Sequence, residues 1–315
     1  MKTEPIEIKG PHMRLAGQFR FMLNQGTPRE QDSGWVDNMV LDQGLNYLGN
    51  DYVSDNVLWL SVGTGTNLAA ASDTALQSFT ASTNNRTSVS SGNLGASTYA
   101  GQFVFSWTFA QGAVVGNMAE VGVGRATGGG SLFSRARIVD GGGSATTLTV
   151  TSLDQLTVYY KLTCTPDLTD LTSSVVISGT TYNFTARLAN ASQYFTNASF
   201  ELTSETDWGS LTSGSSFTSY PSTSTIGAIT STPSGTATNA TNTSTRAKAT
   251  YTNGNFYRDT TITVVPADCN SAGGIGAIKL LFGNSWGQWQ YVFTAPIPKD
   301  NTKTLTLVVR ASWSR

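Results

Sequence analysis

The sequence predicts an all-β protein made of two antiparallel β-sandwich modules in series, residues 1–165 and 166–315, with one short helix near residues 38–48. Three observations predict this fold. Short stretches of strand-forming residues recur about every 8–12 residues, separated by Gly-rich turns. The chain has 315 residues, which is long enough for two domains of common size. Finally, residues 98–164 and 249–313 resemble each other.

The two similar segments share an order of sequence features. Each begins with a Thr-Tyr pair, at Thr98 and Thr250, and runs through Gly and an aromatic residue into a strand-like stretch. Each then has a Gly-flanked apolar stretch, at residues 120–124 and 274–278, and closes on a Thr-Leu-Thr strand. This pattern predicts a duplicated β-module; the alternative is a composition that any two β-rich segments share.

The first predicted elements are a strand and the helix. Residues 15–23 alternate two phenylalanines with polar neighbours, which is typical of a strand with one buried face. Residues 38–48 place apolar side chains at helical spacing. Asp37 or Asn38 is the expected N-cap, and Gly49 is the expected residue just past the C-terminus.

The other elements of the first module are predicted to be strands, at residues 57–65, 103–109, 119–124, 132–139, 148–150 and 156–162. Residues 165–167 are the predicted module boundary, because Pro166 resists strand pairing. Strands of the second module are predicted at residues 175–177, 182–188, 199–202, 289–293 and 305–313. Residues 212–245 are rich in Ser and Thr and poor in apolar surface, so we expect a mobile loop that only a neighbouring element or subunit would order.

The charge content limits the functions that the chain can have. Charged residues make up 12% of the sequence and the net charge is −1, so no basic cluster is present to bind nucleic acid. The first residues lack the basic start and apolar core of a signal peptide, and no run of about 18 apolar residues is present. We therefore expect synthesis in the cytoplasm, without classical secretion or membrane insertion.

Neither histidine nor cysteine points to a cofactor. His12 is the single histidine, so metal sites with two histidine ligands are excluded, and we expect it in an exposed turn. Cys164 and Cys269 have no Cys-x-x-Cys spacing, and we expect them to be free and buried, although they would have the option of pairing in an oxidising compartment. No cofactor is predicted.

Acidic residues offer two kinds of candidate site. Four carboxylates near the predicted helix are candidates for a bound calcium ion or, alternatively, for helix capping: Asp37, Asp42, Asp51 and Asp55. Glu120 lies in an apolar strand, where an unpaired charge would be costly, so we expect a buried ion pair with Arg135 or Arg137.

The second module contains a candidate binding residue and a candidate catalytic group. Trp286 lies in a Gly-Asn-Ser-Trp-Gly turn and is a candidate contact for a glycan or a protein partner. The next tryptophan, Trp289, is predicted to be part of a core row. A glycosidase would need two carboxyl groups about 5–9.5 Å apart, and the weaker candidates for this role are Glu201, Glu205 and Asp207.

Several phrases resemble virion proteins of tailed bacteriophages, in the group of tail-fibre, baseplate and minor tail proteins. These phrases are spread over residues 15–165, at residues 34–45, 62–65, 73–76, 119–123 and 132–136. The end of the chain, at residues 293–299 and 302–307, is similar in style to the closing modules of such proteins. The resemblance implies a β-rich, non-enzymatic assembly component located in the virion tail. It carries no catalytic residues.

The resemblance and the composition together predict the partners. A charge-poor β-protein has strand edges and apolar strips that neighbours must cover, so we expect a homo-oligomer, most plausibly a trimer. Other virion tail proteins are the expected partners, together with a host surface glycan as a further candidate. The rival functions are a capsid decoration or head-fibre protein, a carbohydrate-binding adhesin module and, last, a hydrolase.

Overall fold

The fold is given by a computed structural model that describes residues 6–51, 53–94, 99–140, 142–177, 179–191, 217–240, 244–282 and 287–315. In this part of the chain there are 21 strands and two short helices, so the all-β class is as predicted. The elements of the first half are β1 (Ile6–Leu23), β2 (Gln31–Asp37), β3 (Met39–Val40), α1 (Asp42–Tyr47), α2 (Val53–Asn56), β4 (Trp59–Gly63), β5 (Phe79–Thr83), β6 (Arg86–Asn93), β7 (Gly101–Thr108), β8 (Gly116–Met118), β9 (Glu120–Gly124), β10 (Leu132–Arg137), β11 (Leu148–Val150) and β12 (Leu156–Pro166).

The second half adds nine strands to those of the first half. They are β13 (Leu171–Ile177), β14 (Thr180–Ala189), β15 (Phe217–Pro221), β16 (Thr238–Asn239), β17 (Thr245–Lys248), β18 (Tyr257–Val264), β19 (Ile275–Leu281), β20 (Gln288–Ile297) and β21 (Leu305–Ser314).

The strands form one large sheet and three smaller ones. The large sheet has eight strands in the order β17-β18-β21-β1-β12-β7-β6, with β2 also paired to β1. A five-stranded sheet has the order β3-β10-β9-β4-β5, and a six-stranded sheet has the order β13-β14-β20-β19-β15-β16. Strands β8 and β11 form a separate pair. All pairings of named strands are antiparallel except that of β1 with β21, which is parallel.

The strand order supports the predicted duplication except in its closing strand, since the counterpart of β21 is β12 and not the predicted strand at residues 148–150. In the first half, β4 and β5 pair in the five-stranded sheet, β6 and β7 in the large sheet, β9 and β10 in the five-stranded sheet, and β12 returns beside β7. The second half repeats this path. Strands β15 and β16 pair in the six-stranded sheet, β17 and β18 in the large sheet, and β19 and β20 in the six-stranded sheet, and β21 returns beside β18. The repeat therefore extends beyond the predicted segments, over residues 59–166 and 217–314.

Strand β1 lies between the two repeats. On one side it pairs with β12 and on the other with β21. The order and directions of the strands on the two sides match those that a two-fold rotation normal to the sheet would generate. The predicted boundary between two modules at residue 165 stays a prediction. The large sheet contains strands from both sides of this boundary, since β17, β18 and β21 are in the same sheet as β1 and β12.

The hydrophobic core is shared by the three larger sheets. One cluster joins Trp107 of the large sheet, Leu60 of the five-stranded sheet and Tyr291 of the six-stranded sheet. This is consistent with sandwich-like packing of the smaller sheets on the large one. The predicted core row of β20 is also present, because Trp289 and Phe293 are buried beside Tyr291.

The helix differs from its prediction. It begins at Asp42 rather than near residue 38, and its N-cap is Leu41, which makes no side-chain capping bond, so neither Asp37 nor Asn38 caps it. The residues before it, Met39 and Val40, instead form β3, which pairs with β10. The predicted end is closer, since Leu48 is the C-cap and Gly49 follows it. The second helix, α2, was not predicted from the sequence.

Two predictions in the region after residue 162 also need correction. Strand β12 continues to Pro166, which is paired with Met13 and occupies the last position of the strand, where proline is tolerated. The predicted loop at residues 212–245 contains β15 and β16, so a loop throughout was wrong. Packing against β19 provides the order that the composition alone does not predict.

Candidate functional site

The ion pair predicted between Glu120 and Arg135 is present in the five-stranded sheet. Glu120 is on β9, Arg135 is on the neighbouring strand β10, and both side chains are buried. Arg135 Nε and one terminal nitrogen lie 3.0 and 2.8 Å from Glu120 Oε2. Both bonds end on the same carboxylate oxygen, and each is charge-assisted, which makes it stronger than a bond between neutral groups.

Glu120 also holds the loop that joins β4 and β5, residues 64–78, here called the first loop. Its Oε1 accepts bonds from the main-chain N–H groups of Gly65, at 3.1 Å, and Ser78, at 2.6 Å. Its Oε2 accepts a bond from Gln77 N–H at 2.9 Å. An added Cβ at Gly65 would lie 2.3 Å from Glu120 Oε1, so the close approach requires glycine.

Arg135 completes the attachment of the first loop. It donates bonds to the carbonyl oxygens of Asn67 and Leu68 and to the carboxylate of Asp73. A buried ion pair is costly unless the remaining donors and acceptors are satisfied, and here loop groups satisfy them. The pair therefore acts as a rigid structural tether, with no free group directed at solvent for chemistry.

A separate polar cleft of about 520 Å³ opens beside α1. Helix α1 contributes Asp42, Gln43, Asn46 and Tyr47, which lie on one side of the helix because residues four apart are neighbours on its surface. The other lining residues come from four separate parts of the chain and are Asn50, Asp51, Ser72, Thr74, Arg125 and Asn253. The cleft is thus assembled by both repeats and the segment between β3 and β4.

The charges of the cleft are paired. Asp42 Oδ1 lies 2.7 Å from a guanidinium nitrogen of Arg315, and Asp51 forms an ion pair with Arg125. The lining thus holds two acidic groups and one basic group, Arg125, and Arg315, which pairs with Asp42, balances the second acidic group. Such a site has no net charge with which to attract an anion or a cation.

Arg125 is held in a fixed orientation. Its guanidinium carbon lies 3.7 Å from the centre of the Tyr47 ring, and its Nε donates a bond of 2.6 Å to Asn56 Oδ1. Gln43 donates a bond to the Tyr47 hydroxyl from the neighbouring turn of α1. Stacking and hydrogen bonding together fix one wall of the cleft before any ligand arrives.

Residues of the second repeat hold α1 in place. Asn46 Oδ1 accepts bonds from Tyr251 Oη, at 2.8 Å, and from Gly254 N–H, at 2.6 Å. Trp313 Nε1 donates to the Leu45 carbonyl oxygen at 2.9 Å. The position of Asn253 in the cleft therefore depends on contacts between residues that are about 200 positions apart in the sequence.

Four other cleft side chains make no hydrogen bond to the described residues. They are the exposed side chains of Asn50, Ser72, Thr74 and Asn253. Carboxamides offer both donors and acceptors, and hydroxyls do the same. The cleft therefore presents uncommitted polar groups of both kinds on walls that are otherwise fixed.

The four carboxylates near the helix do not converge on an ion site. Asp42 and Asp51 have the arginine partners given above, while Asp37 accepts a bond of 2.7 Å from Gln18. Asp55 interacts electrostatically with Arg86. In the part of the chain that the structure describes, no group of three or more His, Cys, Asp or Glu side chains is arranged to hold a metal ion.

The remaining candidates have mixed outcomes. Cys164 and Cys269 are free and buried, and burial raises the pKa of both thiols. Trp286 lies outside the described residues, and the carboxyl groups considered for a glycosidase do so as well: Glu201, Glu205 and Asp207.

His12 differs from its prediction, because it is half-buried rather than exposed. Its Nδ1 lies 2.9 Å from Ser312 Oγ and its Nε2 lies 3.1 Å from Ser314 Oγ, so it joins β1 to β21. Desolvation by burial, followed by the charge of Arg14, lowers the pKa of His12 below its ordinary value, and the charge of Asp167 opposes this shift.

The sequence identified the ion pair but missed the cleft. An acid in an apolar strand is a local signal, whereas the cleft combines residues from five segments whose proximity only the fold provides. The asparagine and hydroxyl residues of the cleft are also of the types that are common in ordinary turns. None of the helices in the described parts of the chain has the length and apolar character needed to cross a membrane.

Comparison of the chain with protein-family models, with curated proteins and with solved structures gave no match.

Proposed function

We propose that this protein is a non-enzymatic structural component of a bacteriophage tail, acting as a tail-fibre base, baseplate or adaptor protein. In this role it forms a homo-oligomer, contacts other virion proteins and presents a surface to the host. The resemblance of residues 15–165 to tail proteins supports the assignment to a virion.

The observation that carries the proposal is the large sheet, which contains strands from both repeats. Three strands from each repeat, together with β1 and β2, are hydrogen-bonded into one layer, with β1 in its interior. A continuous sheet transmits force through many parallel hydrogen bonds and leaves no hinge between the repeats. Such a body suits a part that holds other proteins in fixed positions.

The first loop supplies a second kind of support. Leu68 is 70% exposed and Phe79, directly after the loop, is 44% exposed. Arg135 and Glu120 already hold the main chain of this loop. The loop therefore loses little conformational entropy when a partner protein binds Leu68 and Phe79. Exposed apolar groups on a rigid support are typical of protein contacts.

The first test of the proposal is the solution mass of the purified chain. We expect light scattering to give three times the chain mass of 33.3 kDa, independent of concentration over the micromolar range. A protein that stays monomeric at high concentration would contradict the oligomeric role.

The position in the particle distinguishes the proposal from its closest rival. Gold-labelled antibodies against the chain, applied to phage particles that contain it, should label the tail. Labelling of the head would instead favour a capsid decoration or head-fibre protein, and would overturn the assignment to the tail.

A further inference from the structure

We propose that the cleft beside α1 binds a neutral oligosaccharide. This inference rests on the proposed function, because it names the class of host surface molecule that the protein would contact. It is carried by the charge balance of the cleft, its uncommitted polar groups and its size.

The charge balance selects a neutral ligand. Asp42 and Asp51 are each paired with an arginine, so a cation would have to compete with an arginine for either carboxylate. An anion would have to compete with the Asp51 carboxylate for Arg125, the arginine among the lining residues. A neutral ligand would leave both pairs in place.

The polar lining selects a ligand with many hydroxyl groups. All ten lining residues have polar side chains, and four of them are carboxamides. The cleft has no aliphatic side chain among its lining residues, and its one aromatic ring, that of Tyr47, is stacked on Arg125. Sugar hydroxyls both donate and accept hydrogen bonds, and Asn50 and Asn253 offer both functions from opposite halves of the chain.

The size and rigidity agree with a ligand of a few sugar units. The volume of about 520 Å³ falls within the range of small-molecule sites, about 300–1,000 Å³. The stacked Arg125 and Tyr47 and the bonds of Asn46 fix the walls, so little entropy is lost when the ligand binds.

The experiment uses the full-length chain and two sets of probes. The neutral set contains hexasaccharides of glucose, galactose, mannose and N-acetylglucosamine, and the anionic set contains hexasaccharides of hyaluronan and polygalacturonate. Binding is measured by saturation-transfer NMR and then by calorimetry. We expect at least one neutral probe to bind and the anionic probes not to compete with it.

The test variant is Asn50→Ala combined with Asn253→Ala. Both side chains are exposed and make no hydrogen bond to the described residues, so we expect the fold to be retained. Loss of one net hydrogen bond at each position should weaken binding about tenfold. The matched control is Asn301→Ala, an exposed asparagine near the opposite end of β21, which should bind as the unmodified chain does.

Four outcomes would overturn the inference. They are no binding of any neutral probe, equal binding by the double variant, a preference for anionic probes, and a change of solution mass in the double variant, which would identify the cleft as a contact between subunits. The mass of the unmodified chain, measured on the same samples, reports on the proposed oligomer separately. A stable oligomer that binds no sugar would leave the proposed function standing and the inference wrong.

Discussion

The two repeats fasten equivalent loops with different chemistry. The first loop follows β4, and its counterpart, residues 222–237, follows β15 and is here called the second loop. In each repeat a buried polar side chain reaches the loop from an equivalent strand: Arg135 on β10 and Gln290 on β20. The first is charged and paired with Glu120, whereas the second is neutral.

Gln290 satisfies the main chain of the second loop without any charge. Its Oε1 accepts a bond of 2.8 Å from Gly227 N–H, and its Nε2 donates to the carbonyl oxygens of Gly227, at 3.1 Å, and Ala228, at 3.2 Å. Like Glu120, it has no exposed surface. One amide thus provides both a donor and an acceptor to the second loop, and Arg187 on β14 adds a bond of 3.0 Å to the Gly227 carbonyl oxygen.

The difference shows what the ion pair adds. An amide is short and fastens two consecutive residues of its loop, whereas Arg135 and Glu120 together contact both ends and the middle of the first loop. The cost is that two charges lose their hydration, which makes the arrangement dependent on every partner being present. We therefore expect the first repeat to be the more sensitive to single substitutions at its tether.

The largest expected effect is that of Glu120→Gln. The substituted amide would place an NH2 group where main-chain N–H groups now donate, and it would leave the buried Arg135 with Asp73 as its remaining carboxylate partner. We expect the free energy of unfolding to fall by about 3–5 kcal/mol, measured by urea denaturation.

The matched control for this variant is Asp32→Asn, which breaks the more exposed ion pair with Arg20. Because surface pairs contribute little, its cost should be about 0–1 kcal/mol. Equal losses in the two variants would show that burial of the Glu120 pair does not determine its contribution.

A smaller effect is expected for Gln290→Leu, which keeps the volume but removes the amide. The Gly227 N–H and the Ala228 carbonyl oxygen would lose their bonds to Gln290, while the Gly227 carbonyl oxygen would keep its bond from Arg187. We expect a cost of about 1–3 kcal/mol in urea denaturation. The control is Gln18→Leu, whose amide bonds Asp37 at the surface. A loss as large as that of Glu120→Gln would remove the difference between the two tethers.

The smallest effect concerns the side-chain contact between β1 and the second repeat. Because the pKa of His12 is lowered in the folded chain, the unfolded chain binds the proton more tightly. The contribution of His12 to the free energy of unfolding is therefore fully present above the ordinary histidine pKa of about 6.5, and it decreases as the pH drops below this value.

The measurement is the urea midpoint at pH 7.5 and pH 5.5. We expect a lower midpoint at pH 5.5, and His12→Gln should reduce the difference because His12 is the single histidine of the chain. A midpoint that rises on acidification would show that the sign of the pKa shift is wrong.

Much of the β-structure could be predicted from local sequence. The strand at residues 148–150 has its predicted bounds, and the core row of β20 follows from the alternation around Tyr291. The pair of Glu120 and Arg135 was predictable because an acid within an apolar strand needs a nearby cation. In these cases the pattern that determines the structure lies within a few residues.

The failures all involve distant partners. Strand β1 starts at Ile6 rather than residue 15, because its first half pairs with β21, about 300 residues later. Helix α1 starts late because Leu41 N–H donates to Phe133 O and because Gly44 packs closely against the same carbonyl. The cleft depends on similar contacts, so no local pattern predicts it.

The interior place of β1 has a consequence for how the protein is made. This strand leaves the ribosome well before its neighbours β12 and β21, and the parallel partner β21 is translated after β12. Pairings between such distant segments form slowly, and the waiting strand exposes both edges in the meantime. We therefore expect the large sheet to be completed only after β21 has left the ribosome, with a requirement for chaperones that bind exposed strands.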